Sequence, residues 1–245
     1  MKEALVTGAS RGLGVSIAKT LARDGWAVAV NYARDGANAA LCVGEIEAAG
    51  GKAELARFDI TDEEAVRSGI RRIDTEIGAV DLIVNNATGV QPDLSIMEQT
   101  WDDHLGQLVF FVKAPLLLLQ AVLPDWRKRK SGRIINIGSE VVDIGNARFG
   151  HYVAAKSAMV GLTRSWAQEL GPDGITVNLV APGWIPVERH SDVDQASLEQ
   201  YRLQVPLGKM GNPDDISAMV AFLASEKASF ITGQTFTVNG GRTFT

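Results

Sequence analysis

The sequence predicts a doubly wound α/β fold: a mostly seven-stranded parallel sheet with helices on both faces. Three observations predict it. Short apolar runs alternate with helix-length segments along the 245 residues. Runs such as Leu82-Ile83-Val84 are continuously apolar, as strands covered on both faces must be. The first run opens directly into a glycine-rich turn that precedes the first helical segment.

The elements follow in order. A short strand over 4–6 leads through Thr7 to Gly14 into a helix over 15–24. A Val-rich strand covers 27–32, and a helix over 36–49 stops at Gly50-Gly51. After a strand over 53–58, Thr61-Asp62-Glu63-Glu64 reads as a capping box opening the next helix. Strand 82–84 precedes a long helix over 101–129. Then come strand 133–137, helix 152–169, strand 175–180, helix 214–224 and a last strand over 235–238. No Pro/Ser-rich linker and no repeat breaks the chain, so one domain over 1–245 is expected.

Composition narrows the function. Apolar residues make up 46% and charged residues 22%, an ordinary soluble globular balance. The net charge of −5 argues against nucleic-acid binding through an overall basic field. The one cysteine, Cys42, allows no intrachain disulfide and reads as cytoplasmic. His104, His151 and His190 have no metal-ligand spacing, so no metal site is expected. The apolar stretch from Leu105 to Pro124 is interrupted by Gln107, Lys113, Pro115 and Gln120, which reads as a buried helix and no membrane span. The segment after Met1-Lys2-Glu3 is too short for a signal peptide.

Two constellations carry chemistry. The turn holds Gly8, Gly12 and Gly14, spaced G-x-x-x-G-x-G, with Ser10, Arg11 and Leu13 between them. Glycines there let backbone approach a pyrophosphate seated on the helix N-terminus. The end of the second strand reads Asn31-Tyr32-Ala33-Arg34 and lacks the carboxylate that commonly holds a ribose 2′-OH. Arg34, with Arg11, suits a 2′-phosphate, which favours NADP(H) and leaves NAD(H) open. The alternative is that Arg34 is a solvated loop cation. In the second constellation, Tyr152 and Lys156 are four apart and share one helix face. A free Tyr titrates near 10, and a neighbouring ammonium lowers that value toward the working range of an acid/base group. Ser139 ends the strand over 133–137 through Gly138, where a hydroxyl can donate to a substrate carbonyl.

These residues carry a resemblance that spans the chain. Beyond the turn and the Ser139, Tyr152, Lys156 set, its motifs are Asp59-Ile60, Asn85-Asn86-Ala87, Gly132-Arg133-Ile134-Ile135-Asn136-Ile137-Gly138-Ser139, Asn178-Leu179-Val180-Ala181-Pro182-Gly183 and Val238-Asn239-Gly240-Gly241. The chain resembles short-chain dehydrogenases/reductases with a Rossmann fold, and within them the bacterial 3-oxoacyl-(acyl-carrier-protein) reductases of fatty acid synthesis. The resemblance implies an NADPH-dependent carbonyl reductase. Tyr152 would be the proton donor, Lys156 would lower its pKa and bind the nicotinamide ribose, and Ser139 would polarise the carbonyl. Asp59 and Ile60 would meet the adenine. Asn86, Ala87 and Thr88 would pass the cofactor ribose, with Tyr32 and Arg34 at the adenosine end. Pro182, Gly183 and Ile185 would line the nicotinamide. It also implies a homotetramer.

The sequence departs from the family at marked places. Relatives carry an Asn in the long helix, and between Asn86 and Asn136 this chain has none. Counting back from Ser139 puts Phe111 there, and counting on from Trp101 puts Leu108 there. Pro115 would free the Phe111 carbonyl and bend the helix, so that a water from that carbonyl still reaches Lys156. Thr88 replaces a Gly, and Val187 stands where a Thr often meets the nicotinamide amide. The segment Trp184 to Asn212 is the expected substrate loop, with Trp184 and Val187 facing the substrate beside Ser139 and Tyr152. Arg127-Lys128-Arg129-Lys130 could meet an acyl carrier protein, but it suits a helix C-terminus equally, and Asp173 speaks against a carrier. An acyl thioester, a free ketone, a sugar or a polyol remain open as substrates. The second reading is a nucleotide-binding sensor, or a subunit of a mixed oligomer, with weak or no catalysis.

Overall fold

Seven strands form one sheet in the order β3-β2-β1-β4-β5-β6-β7, and every adjacent pair is parallel. The computed structural model describes residues 2–188, 191 and 193–244. The strands are β1 (Glu3–Val6), β2 (Ala27–Tyr32), β3 (Lys52–Arg57), β4 (Val80–Asn85), β5 (Gly132–Ile137), β6 (Ile175–Pro182) and β7 (Thr235–Val238). The helices are α1 (Gly12–Arg23), α2 (Gly36–Ala48), α3 (Glu63–Glu76), α4 (Trp101–Leu108), α5 (Ala114–Arg129), α6 (Val141–Ile144), α7 (Gly150–Leu170), α8 (Gln195–Leu203) and α9 (Pro213–Ala224). The chain winds from β1 out to β3, then returns beside β1 and winds out to β7. The reversal between β1 and β4 opens a crevice at the carboxyl ends of the strands, where ligands of such sheets bind.

Burial explains the strand compositions. β1 is buried along its whole length, whereas edge strand β3 alternates between buried and exposed positions. One core lies under α1, α2 and α9, and a second under α3, α5 and α7. In the second, Trp126 of α5 is fully buried and its indole N–H donates to the Val80 carbonyl at 2.6 Å.

Three local features differ from the sequence expectation. The cap of α3 is Asp62, whose Oδ1 accepts the Ala65 N–H at 2.7 Å. Thr61 stands one residue too early for the cap, and its N–H and hydroxyl both donate to Asp59 Oδ1. The helix expected over 101–129 is interrupted by a π turn over Val109–Lys113. There the Ala114 N–H reaches five residues back to the Val109 carbonyl. Pro115 has no N–H to offer, so the wider turn sits where the helical ladder is already broken. The rod Trp101–Arg129 is long and apolar enough to cross a membrane. In this fold its Phe111, Ala114, Leu118, Leu119, Val122 and Trp126 fill the cores, as the buried-helix expectation had it. α6 and α8 lie in segments read as loop, and each is too short to show a helical period.

A buried polar chain fixes α7 to the sheet. Asn85 Nδ2 donates to Asn136 Oδ1 at 2.8 Å, and Asn136 Nδ2 donates to Thr163 Oγ1 at 2.8 Å. Thr163 Oγ1 donates in turn to the Met159 carbonyl, 2.9 Å away. Asn136→Ala strands the Asn85 amide and opens a small cavity, so it should cost about 2–4 kcal/mol in urea unfolding. A loss under about 0.5 kcal/mol, the size of an ordinary surface change, would refute the bridge.

Candidate active site

The glycine-rich turn is held from three strands. Thr7 Oγ1 donates to the Val84 carbonyl and accepts the N–H groups of Asn86 and Ala87 at 2.9 and 3.0 Å. The Asn86 amide donates to the carbonyls of Thr7 and Gly8. Asn31, at the end of β2, donates to the carbonyls of Ala56 and Phe58 while its own carbonyl accepts the Ala9 N–H at 2.8 Å. The close approach requires glycine. A Cβ on Gly8, at φ +63°, would lie 2.8 Å from the Ala87 Cα, and one on Gly14 would lie 2.5 Å from the Gly8 carbonyl oxygen.

The same turn presents an anion site. Arg11 at the start of α1 is extended and gives the helix no side-chain cap. The Gly12 N–H donates instead to a carboxylate oxygen of Glu188, at 3.1 Å. A carboxylate there stands in for a phosphate, the group that such an N-terminus receives. With glycines lining the approach, these residues fit a dinucleotide.

Past the end of β2, the Tyr32 ring covers Gly36, and Arg11 and Arg34 are exposed. Asp35 caps α2. Its carboxylate accepts the side-chain and backbone N–H groups of Asn38, which hold it below the usual carboxylate range. Asp59 is exposed, whereas the Ile60 side chain is buried in the core under α3. Thr88 Oγ1 accepts the Gln91 amide at 2.6 Å and donates to the Gly89 carbonyl. Ser10 and Leu13 are half-buried in the turn.

The reactive corner gathers at the end of β5. Gly138 N–H donates to the Val180 carbonyl at 2.7 Å, turning the chain so that half-buried Ser139 follows at the crevice. Lys156 is 4% exposed, and its Nζ donates to the Ile137 carbonyl at 2.6 Å. Tyr152 lies one turn earlier in α7. Phe111, carried by the π turn, is buried with its ring centroid 5.6 Å from that of Tyr152 and 3.8 Å from Lys156 Nζ. Of the two positions the spacing allowed for the missing Asn, Phe111 is the one that meets the lysine.

The expected substrate loop is tied down at its base. The Trp184 N–H donates to the Tyr201 hydroxyl, which donates to Glu140 Oε1, both at 2.7 Å. Burial pushes the Tyr201 phenol up to about 12. Glu140 also accepts from Asn239 at 3.0 Å and Arg242 at 2.6 Å. A Cβ on Gly183, which follows Pro182, would lie 2.5 Å from that Tyr201 hydroxyl. Ile185 is buried in the core beside α1, and Val187 packs on Gly12 at the glycine-rich turn. His190, Arg189 and Asp192 lie outside the described residues.

Sequence reasoning did not single out Asn31, Glu140 or Glu188, whereas Thr7 opens the glycine-rich turn and Tyr201 lies in the expected substrate loop. Glu140 left one signal, an acidic residue directly after Ser139. Gly14→Ala should weaken nicotinamide-dinucleotide binding at least about tenfold, because the added methyl pushes the Gly8 carbonyl and the Asn86 amide out of place. Titration of NADPH fluorescence checks it, and unchanged affinity would remove the turn from the binding site.

Comparison with known proteins agrees with this geometry. A family model described as enoyl-(acyl carrier protein) reductase matches residues 8–243. The 3-oxoacyl-(acyl-carrier-protein) reductase FabG of Staphylococcus aureus strain Mu50 is 43% identical over 243 residues, covering 98% of this chain and 97% of that protein. A dehydrogenase/reductase from Sinorhizobium meliloti 1021 superposes with a TM-score of 0.90 at 35% identity, covering 99% of this chain and 95% of that one. A short-chain dehydrogenase/reductase variant from Serratia marcescens superposes with a TM-score of 0.90 at 33% identity, over 98% of this chain and 97% of that one. Likeness at this identity over nearly the full length reaches past shared architecture to shared descent, and the chain belongs to the short-chain dehydrogenase/reductase family, NAD(P)-dependent oxidoreductases that act on alcohols and carbonyls.

Proposed function

We propose that this chain is an NADPH-dependent reductase of 3-oxoacyl thioesters. The observation that carries the proposal is the buried Lys156 ammonium on the Ile137 carbonyl, one helical turn from Tyr152 and at the strand end that bears Ser139. A free tyrosine must drop by roughly 3 pH units, about 4 kcal/mol, to exchange protons near neutrality. The ammonium supplies part of that by stabilising the phenolate. Tyr152 gives its proton to the carbonyl oxygen, and the Ser139 hydroxyl donates a hydrogen bond to the same oxygen as charge develops. When bound, the nicotinamide cofactor supplies the hydride to the carbonyl carbon.

Commitment of Asp35 to the α2 cap supports NADPH over NADH. It leaves Arg34 and Arg11 as exposed cations at the adenosine end, where they suit a 2′-phosphate. The names of the FabG relatives support an acyl thioester. Asp173 pairs with Arg127 and Lys130, and Arg129 pairs with Asp125 and Asp81. The basic run is therefore largely neutralised within the chain, which favours a thioester held at 184–212 over docking of a carrier through that run. We further propose that the whole chain acts as one nucleotide-binding unit in the cytoplasm. Exposed Trp101, Leu105 and Leu116 on one side, with Phe222 and Phe230 on another, suit the two interfaces of a homotetramer. The ring at Phe111 keeps the sensor reading as the competitor.

Oxidation of NADPH and NADH against acetoacetyl-CoA, acetoacetyl-carrier protein and simple ketones tests the proposal. NADPH with a thioester should be turned over fastest, and Tyr152→Phe should lose about 100-fold or more in kcat. Cofactor binding without turnover on any substrate would favour the sensor. Unchanged turnover in Tyr152→Phe would overturn the assignment of the acid.

A further inference from the structure

We infer that Phe111 is a positioning residue whose ring face holds the buried Lys156 ammonium beneath Tyr152. This rests on the proposed reading of Tyr152 as the acid. The ammonium is nearly removed from solvent, and it donates to the Ile137 carbonyl at 2.6 Å. A buried lysine tends to lose its proton, and a neutral amine gives a phenolate no charge to lean on. The Phe111 ring lies on the other side of the problem. Its centroid is 3.8 Å from Nζ, well inside the range at which an aromatic face attracts a cation, and desolvation strengthens that attraction. The same ring meets the Tyr152 ring at 70° and 5.6 Å, so one side chain sets both partners of the pair.

The backbone makes this placement possible. Phe111 sits in the middle of the π turn Val109–Lys113, which Pro115 follows. The turn widens the helix toward α7 and brings a large ring to a position where relatives carry a small amide. A phenyl ring has no hydrogen bond to give, so it acts on Lys156 through its quadrupole alone.

Other titratable groups among the described residues lie near this corner. His151 has Asp103 and His104 of α4 as its electrostatic partners. Glu140, after Ser139, is engaged by Tyr201, Asn239 and Arg242. Asp102 of α4, Lys113 of the π turn and Asp143 of α6 are further charged groups on the described helical segments packed against this end of α7. All are unchanged across the variants below, so differences between variants read Phe111.

The test compares the wild type with Phe111→Leu and with a ring-fluorinated phenylalanine at 111. Leucine keeps apolar bulk and removes the ring. Fluorination keeps the shape and drains the face of negative charge. Phenolate formation at Tyr152 is followed in the ultraviolet, with Tyr152→Phe in each background subtracted. The midpoint should rise by about one pH unit in Phe111→Leu and in graded steps with increasing fluorination. In parallel, kcat for NADPH oxidation should fall about tenfold while KM holds. Variants that titrate with the wild type overturn the inference, even if the wild type reduces carbonyls well. If Phe111→Leu unfolds, the fluorinated protein alone decides. A wild type with no turnover defeats the reductase reading, while the phenolate titration still answers for Phe111.

Discussion

Parallel strands leave their last peptide groups unpaired at one edge of the sheet, and the site is assembled from whatever satisfies them. Buried N–H and carbonyl groups must find partners. Thr7 takes the Val84 carbonyl, Lys156 takes that of Ile137, Gly138 takes that of Val180 and Gly183 takes that of Val238. Each partner is a member of the glycine-rich turn, the corner of Ser139 and Lys156 or the base of the loop that follows β6. The requirement that closes off the sheet is thus the one that delivers functional groups to the crevice.

Lys156 shows how structure and chemistry share one group. Its hydrogen bond to Ile137 completes the end of β5, and its charge is what the proposed acid Tyr152 needs. The Asn85, Asn136 and Thr163 chain anchors α7 one turn beyond Met159 and so sets where Lys156 arrives. Glu140 plays a similar double part on the substrate side. A carboxylate 3% exposed is tolerable only with its oxygens engaged, and Tyr201, Asn239 and Arg242 engage them. Such a network adds little net stability. It fixes the loop at Trp184 in one position relative to Ser139.

Much of the framework was legible in the sequence because burial on both faces leaves a plain mark. All seven strands and their alternation with helices could be located, and Tyr152 and Lys156 could be put on one face from their spacing. The turn at Gly8, Gly12 and Gly14 was legible because backbone approach admits no side chain there. Features that depend on a single hydrogen bond were not. Thr61 and Asp62 are both acceptable caps, and the helix start one residue later chose the second. Helix α8 carries one buried residue, Tyr201, and leaves no period to read.

By itself the sequence determined the fold class and the family and named candidate reactive side chains, since these follow from periodicity, glycine placement and motifs within single elements. Tertiary structure alone decided which of Leu108 and Phe111 meets Lys156 and that Glu188 reaches the Gly12 N–H. The physical reason is the same in each case. These contacts join residues through a π turn or a loop return of 176 residues, and their geometry depends on packing that no local pattern encodes.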